Sequence, residues 1–329
     1  MQLVIFGAGA LGTLFGVKAA MGGAKVSLIG REAHVKAVNE NGVRLTGTVG
    51  KNFVYKGENL KAFTSINEVE GKIDYLMVTA KDRGMDAVLV DLEKNRDRIL
   101  SVFSFQNGIT HDDKIANVVG WDKVIGSVTI EGADMPEPGV IEYNLTSYSY
   151  FGEFSGTSSE RVEKLADCFR KGGMDIRVVP NIKSVKWTKF VQICGASGIC
   201  GATRLGFAPA ARTLAGAQIY VGILKEGIAI MRALGLEPGD YFPNISMVNL
   251  VANHPLPEAL ERVCKVSDEL YKKGFLGGTS LARDIERGKK SEVDSLMGTL
   301  YAIGDKMGIP TPVTKAVYWV IKSVDEYAK

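Results

Sequence analysis

The first residues in the chain that could do chemistry are Gly7, Ala8, Gly9, Ala10, Leu11 and Gly12, which follow the apolar run Leu3-Val4-Ile5-Phe6 and open a helical stretch through Leu14, Phe15 and Val17. In a strand-to-helix turn of this spacing the first glycine permits the tight turn, the second lets a pyrophosphate approach the backbone, and the third allows close helix packing. The N-terminus of the following helix offers unpaired N–H groups and partial positive charge to phosphates. A dinucleotide site is expected here. The next apolar run, Val26-Ser27-Leu28-Ile29, ends in Gly30-Arg31, where an NAD-preferring site usually carries an acid for the ribose 2′-OH. Arg31 presents a planar cation suited to a 2′-phosphate, which points to NADP(H). The plainer alternative is a surface arginine at a helix start.

These groups need a sheet to hold them. Short β-branched runs at Leu3–Phe6, Val26–Ile29, Tyr75–Val78, Ile99–Phe103 and Val124–Val128 alternate with helical stretches, as a doubly wound parallel sheet requires. Residues 43–64 and 140–154 read as strands with turns, expected as antiparallel additions at the sheet edge. A helix is expected from about Glu160 to Lys171, and Asp175–Pro180 is the last strand-like run. Beyond it the pattern turns helical, broken at Pro209, Glu237-Pro238-Gly239, His254-Pro255-Leu256-Pro257 and Gly308–Pro312. The fold class is therefore α/β, an N-terminal Rossmann domain over 1–180 followed by an all-helical C-terminal domain over 181–329.

Composition narrows the function classes. A net charge of +3 from 40 basic and 37 acidic residues, without a polybasic block, gives no footprint for nucleic acid or a membrane surface. The cysteines Cys168, Cys194, Cys200 and Cys264 have neither CxxC spacing nor a disulfide framework, and the N-terminus lacks a signal-peptide pattern, so a cytoplasmic location is expected. No stretch reads as a bilayer span. The histidines His34, His111 and His254 lack a second ligand at metal spacing, so no metal site is expected. A helical second domain often supports a homodimer.

Several further segments, in order along nearly the whole chain, resemble the ketopantoate reductase (2-dehydropantoate 2-reductase) family. They are Gly30-Arg31, Thr79-Ala80-Lys81, Gln106-Asn107-Gly108, Trp187-Thr188-Lys189, Thr279–Ile285 with Ser291–Asp294, and Gly308–Pro312. The resemblance implies NADPH-dependent reduction of a small 2-oxo acid, hydride to the carbonyl carbon and a proton to its oxygen. It puts the general acid at Lys189, with Glu292 binding substrate and helping to fix the lysine. It implies cofactor contacts at the glycine turn, Arg31, Lys81, Asn107, Ala133 and Glu292, and substrate contacts at Asn107, Lys189 and Ser280. Lys81 and Asn107 lie just past the carboxyl ends of expected parallel strands, where ligands bind in such sheets. Plainer readings stand beside these: Lys81 as a solvated lysine, Asn107 as a turn residue before Gly108, and Lys189 as a solvent-facing lysine on an apolar helix. Ser280 and the pair Ser291 and Asp294 could simply cap helices.

One stripe departs from the family. Family members that reduce ketopantoate carry asparagines four and eight residues after the lysine; here those substrate-facing positions are Ile193 and Ser197. The cavity is thus expected to be more apolar and to suit a branched 2-oxo acid. Ketopantoate is the leading substrate, with another branched 2-oxo acid as the alternative. A non-catalytic NADP(H)-binding sensor is a further reading, and an imine-reducing enzyme would need a second cationic or basic group that the sequence does not reveal.

Overall fold

A computed structural model describes residues 1–81, 84–242 and 246–327 of the chain. It divides into two compact units, Met1–Gln106 with Thr110–Lys183, and Asn107–Ile109 with Ser184–Lys329.

The strands of the first unit are β1 (Gln2–Phe6), β2 (Lys25–Ile29), β3 (Val43–Thr46), β4 (Phe53–Tyr55), β5 (Leu60–Phe63), β6 (Ile73–Val78), β7 (Ile99–Ser104), β8 (Val124–Thr129), β9 (Gly132–Glu137), β10 (Val140–Leu145), β11 (Ser149–Glu153) and β12 (Ile176–Val178). Its helices are α1 (Ala10–Met21), α2 (Glu32–Asn41), a single turn α3 (Gly47–Gly50), α4 (Met85–Asn95), α5 (His111–Val119) and α6 (Glu160–Lys171). An eight-stranded sheet runs β12-β11-β8-β7-β6-β1-β2-β5. Its pairs from β8 through β5 are parallel, as a Rossmann core requires. Strand β1 shows why: Leu3 and Ile5 enter one core with Phe15, Phe103, Phe151 and Phe169, while Val4 enters the other with Leu76, Val88 and Ile115. Both faces are covered, so near-continuous apolar runs are the stable pattern.

The expected antiparallel edge additions are corrected in part. Strands β3 and β10 do not extend the main sheet; they form a separate four-stranded sheet, β4-β3-β10-β9, and pair with each other in parallel. Alternate residues Val43, Leu45, Ile141 and Tyr143 are buried in the core that holds α1, while their neighbours face outward, the pattern of a sheet with one solvated face. The main sheet's edge is instead taken by β5, parallel to β2. Only β11 meets the expectation, antiparallel to β8, with β12 lying outside it.

The second unit contains α7 (Ile182–Thr203), which starts two residues before the unit boundary, then α8 (Phe207–Ala211), α9 (Leu214–Ala233), α10 (Val248–Ala252), α11 (Leu256–Lys272), α12 (Ser280–Glu286), α13 (Thr299–Met307) and α14 (Pro312–Asp325). Helix α7 feeds two cores, Val191, Ile199 and Cys200 into one, Phe190 and Cys194 into the other. Gly195, Gly198 and Gly201 let neighbours close on it: a methyl group on Gly198 would lie 2.7 Å from Ile223 and 3.1 Å from Met297. Helix α9 corrects one expectation. Its 20 residues are long and apolar enough to cross a bilayer, yet it carries Lys225, Glu226 and Arg232 and buries Tyr220, Ile223, Leu224 and Met231 within the unit. It is a core helix.

Candidate active site

Within the first unit, the glycine turn is shaped by β6. Gly7 has φ of 105°, and a methyl group there would meet Ala80 N at 2.6 Å. Thr79 Oγ1 donates to the Gly7 carbonyl at 2.7 Å and locks the turn. A methyl on Gly12 would come within 2.4 Å of the Gly7 carbonyl oxygen and 2.6 Å of Thr79 Oγ1, so the third glycine is needed chiefly for contact with the turn itself. Gly9 is different: nothing lies within 4 Å of where its Cβ would be. It starts α1 without a side-chain cap and with no acidic residue in the first turn. An open backbone facing an uncapped helix N-terminus fits a bound pyrophosphate.

The remaining residues expected at the cofactor site are placed as follows. Arg31 is exposed and starts α2, after Gly30, whose backbone abuts Ala8 so closely that a methyl would sit 3.0 Å from Ala8 Cβ. Lys81 is exposed past β6, and Ala133 lies on β9, half-buried against the core around α1. Gln106, past β7, donates to the Ala80 carbonyl at 2.7 Å and so ties the ends of β6 and β7 together. Thr79 and Gln106 stand in the motifs quoted above, but only their contacts reveal these jobs.

Within the second unit, Lys189, Asn107 and Glu292 form one polar chain. Lys189 Nζ donates to Asn107 Oδ1 at 3.1 Å, and Asn107 Nδ2 faces Glu292 Oε2 at 3.5 Å, long for a hydrogen bond. The amide is thereby oriented, its oxygen toward the cation and its nitrogen toward the carboxylate. Burial pushes the Lys189 pKa down to about 8, with Lys186 adding repulsion and Glu292 opposing both. Lys186 sits one helical turn before Lys189 on α7, a charged neighbour that none of the sequence motifs singles out. Its three-residue spacing from Lys189 was the available signal. Trp187 stands edge-on to Phe190, ring centroids 5.6 Å apart, on the same turn.

Glu292 is held by its neighbours. The expected capping box is only half present: Ser291 Oγ accepts from Val293 N at 3.3 Å, but the Ser291 N–H goes to Asp325 Oδ1 at 2.5 Å instead of Asp294. Asp294 turns to α14, accepting from Tyr318 at 2.8 Å and Lys322 at 2.7 Å, because the following turn, Asp294–Gly298, is π-helical and redirects it. Two clamps to α14 thus bracket Glu292. Ser280 is not a cap either; Thr279 Oγ1 caps α12, accepting from Ala282 N at 3.5 Å, and leaves Ser280 as the helix's first residue. Ile193 is half-buried against the core of Phe190 and Cys194, and Ser197 is fully buried with no hydrogen-bond partner for its hydroxyl among the described residues. No cluster of His, Cys, Asp or Glu fit for a metal ion occurs among the described residues.

A Rossmann unit with an open glycine turn, followed in the same chain by a helical unit holding a depressed-pKa lysine, defines a two-unit dinucleotide-dependent oxidoreductase. Family models carry the class further. Residues 3–156 match ketopantoate reductase PanE/ApbA, residues 181–325 match its C-terminal region, and the chain belongs to this family. It is 29% identical to 2-dehydropantoate 2-reductase of Pyrococcus horikoshii over 323 residues, 98% of this chain and 97% of that protein. Its fold is similar to the crystal structure of 2-dehydropantoate 2-reductase from Methylococcus capsulatus, with a TM-score of 0.82 and 22% identity over 100% of this chain and 98% of that one. A ternary structure of D-mandelate dehydrogenase with NADH and anilino(oxo)acetate shares the fold at a TM-score of 0.79 and 21% identity, covering 100% of this chain and 99% of that one.

Proposed function

We propose that the chain reduces 2-dehydropantoate to pantoate with NADPH, with Lys189 as the general acid. The observation that carries this reading is the chain Lys189–Asn107–Glu292 together with a Lys189 pKa near 8. The cofactor, when bound, supplies the hydride to the C2 carbonyl carbon. Lys189 gives the proton to the carbonyl oxygen; at pH 7 a lysine of pKa about 8 is about nine-tenths protonated and still close enough to the working pH to transfer its proton well. Asn107 holds the ammonium in place through one N–H, leaving two for substrate, and Glu292 supports the charge. Gly7, Gly9 and Gly12 take the pyrophosphate and Arg31 the 2′-phosphate, with Lys81 and Ala133 as further cofactor contacts. The substrate meets Asn107, Lys189 and Ser280. The four unpaired cysteines favour a reducing, cytoplasmic setting.

A second reading, reduction of another branched 2-oxo acid, is favoured by Ile193 and by the buried Ser197, which replace amide contacts with little polar capacity. Initial rates with NADPH and NADH over a panel of 2-oxo acids decide between the two. The first reading requires 2-dehydropantoate to have the highest kcat/KM; absence of turnover with every 2-oxo acid would sink both.

A further inference from the structure

His34 is the one histidine in the first unit with both ring nitrogens in described hydrogen bonds, and nothing in the proposed chemistry uses it. It is 3% exposed and belongs to the first turn of α2, whose N-terminal cap is Arg31. The Gly139 N–H donates to its Nδ1 at 3.1 Å, so in the neutral ring Nε2 carries the proton and donates to Thr13 Oγ1, 2.9 Å away. Burial lowers its pKa, which keeps the acceptor nitrogen free of a proton.

Its two partners lie on different elements, Thr13 on α1 and Gly139 between β9 and β10. Thr13 is wholly buried in the first turn of α1, and its N–H bonds to the Gly9 carbonyl at 2.9 Å. The N–H groups of His34 and Val35 both bond to the Arg31 carbonyl at 3.0 Å. Gly139, at φ of 80°, turns β9 into β10, and its carbonyl accepts from Arg44 of β3 at 2.9 Å. The ring lies beneath the crossing of the two turns: a methyl on Gly30 would be 3.0 Å from Ala8 Cβ and 3.8 Å from His34 Cδ2.

We propose that His34 is a positioning residue of the dinucleotide site, its ring bonded to Thr13 and Gly139 so as to fix the separation between the glycine turn and Arg31. The pyrophosphate and the ribose 2′-phosphate belong to one semi-rigid ligand, so both contacts are made together only if their spacing is held to a fraction of an ångström. A cofactor without the 2′-phosphate makes only the first contact and is indifferent to that spacing. His34 therefore acts on the choice between NADPH and NADH, not on hydride or proton transfer.

The inference rests on the NADPH reading above, and the test separates the two. KM and kcat are measured with NADPH and NADH for the wild type, Arg31→Ala, His34→Phe, His34→Gln and Thr13→Val, with titration of adenosine 2′,5′-bisphosphate against 5′-AMP as the direct binding measurement. His34→Phe is expected to raise KM for NADPH about tenfold with kcat and KM for NADH nearly constant. Thr13→Val, which removes one bond without changing shape, is expected to do part of the same, and His34→Gln, which keeps an N–H donor, to recover part of it. A folded His34→Phe or Thr13→Val protein with the wild-type NADPH to NADH ratio overturns the inference. If Arg31→Ala also leaves that ratio unchanged, or the wild type has no preference, the NADPH reading itself fails and takes the inference with it.

Discussion

Replacing Glu292 by Gln keeps its shape and removes its charge. Two contacts of 3.1 and 3.5 Å with one amide between them separate the carboxylate from the Lys189 ammonium. Taking roughly 7 Å between the charges and an effective dielectric of 20 to 40, their attraction is about 1–2 kcal/mol, or about one pH unit. Glu292 stabilises the ammonium, so its loss lowers the lysine pKa from about 8 toward about 7. A general acid must be protonated, so the alkaline limb of kcat/KM moves down by that unit. At pH 8 the protonated fraction falls from about a half to about a tenth, a loss of about fivefold, whereas at pH 6 this effect nearly vanishes. The assay is initial NADPH oxidation between pH 5.5 and 9.5 with saturating cofactor. A limb that stays near pH 8 while kcat/KM drops equally at every pH refutes the coupling and leaves Glu292 as a substrate contact only.

Lys189→Met is expected to lower kcat by a factor of about 10²–10⁴ with NADPH affinity retained. It should also raise thermal stability at pH 7 by about 3 kcal/mol, because a half-buried cation whose pKa falls from 10.5 to about 8 on folding destabilises the native state below its unfolded pKa; calorimetry at pH 7 and at pH 10 reads the difference, which should shrink at the higher pH. Gly12→Ala places a methyl 2.4 Å from the Gly7 carbonyl oxygen, so fluorescence titration should show cofactor affinity reduced by at least about tenfold as the turn opens. Glu226 accepts from Val313 N and Thr314 N at 2.8 Å each and from Thr314 Oγ1 at 2.6 Å, holding the start of α14. Glu226→Ala should cost about 1–3 kcal/mol and lower Tm by several degrees with the circular dichroism spectrum unchanged.

Much of the fold was legible because its signals are local. Leu3–Phe6 followed by the glycine turn, the largely buried β6 and β7, the fully buried β8, and the helical second half each carry their assignment in a few consecutive residues. The separate sheet of β3, β4, β9 and β10 was not legible, since an alternating strand reads alike whether it joins the main sheet or lies across α1; only the pairing of Val140 with Arg44 tells them apart. Helix α9 was missed as a long apolar element for a related reason, its charged residues masking a run that is nonetheless buried. The same limit applies to Asp294, which in sequence looks like the partner of Ser291 and in space belongs to Tyr318 and Lys322.

What the sequence determined by itself, then, is which groups exist and which local frames carry them: glycines at a strand-to-helix turn, an arginine where an acid often stands, and a lysine on an apolar helix. Backbone conformation and helix periodicity depend on near neighbours, so these follow from residue order. The tertiary structure decided the electrostatics and the spacing. Lys189 acquires a pKa near 8 only because folding buries it and brings Asn107, 82 positions away, and Glu292, 185 positions from Asn107, to the same ammonium. His34 likewise becomes a link between Thr13 and Gly139 only when α1, α2 and the β9–β10 turn converge. Desolvation and contact between distant residues are properties of the packed chain, and no window of sequence contains them.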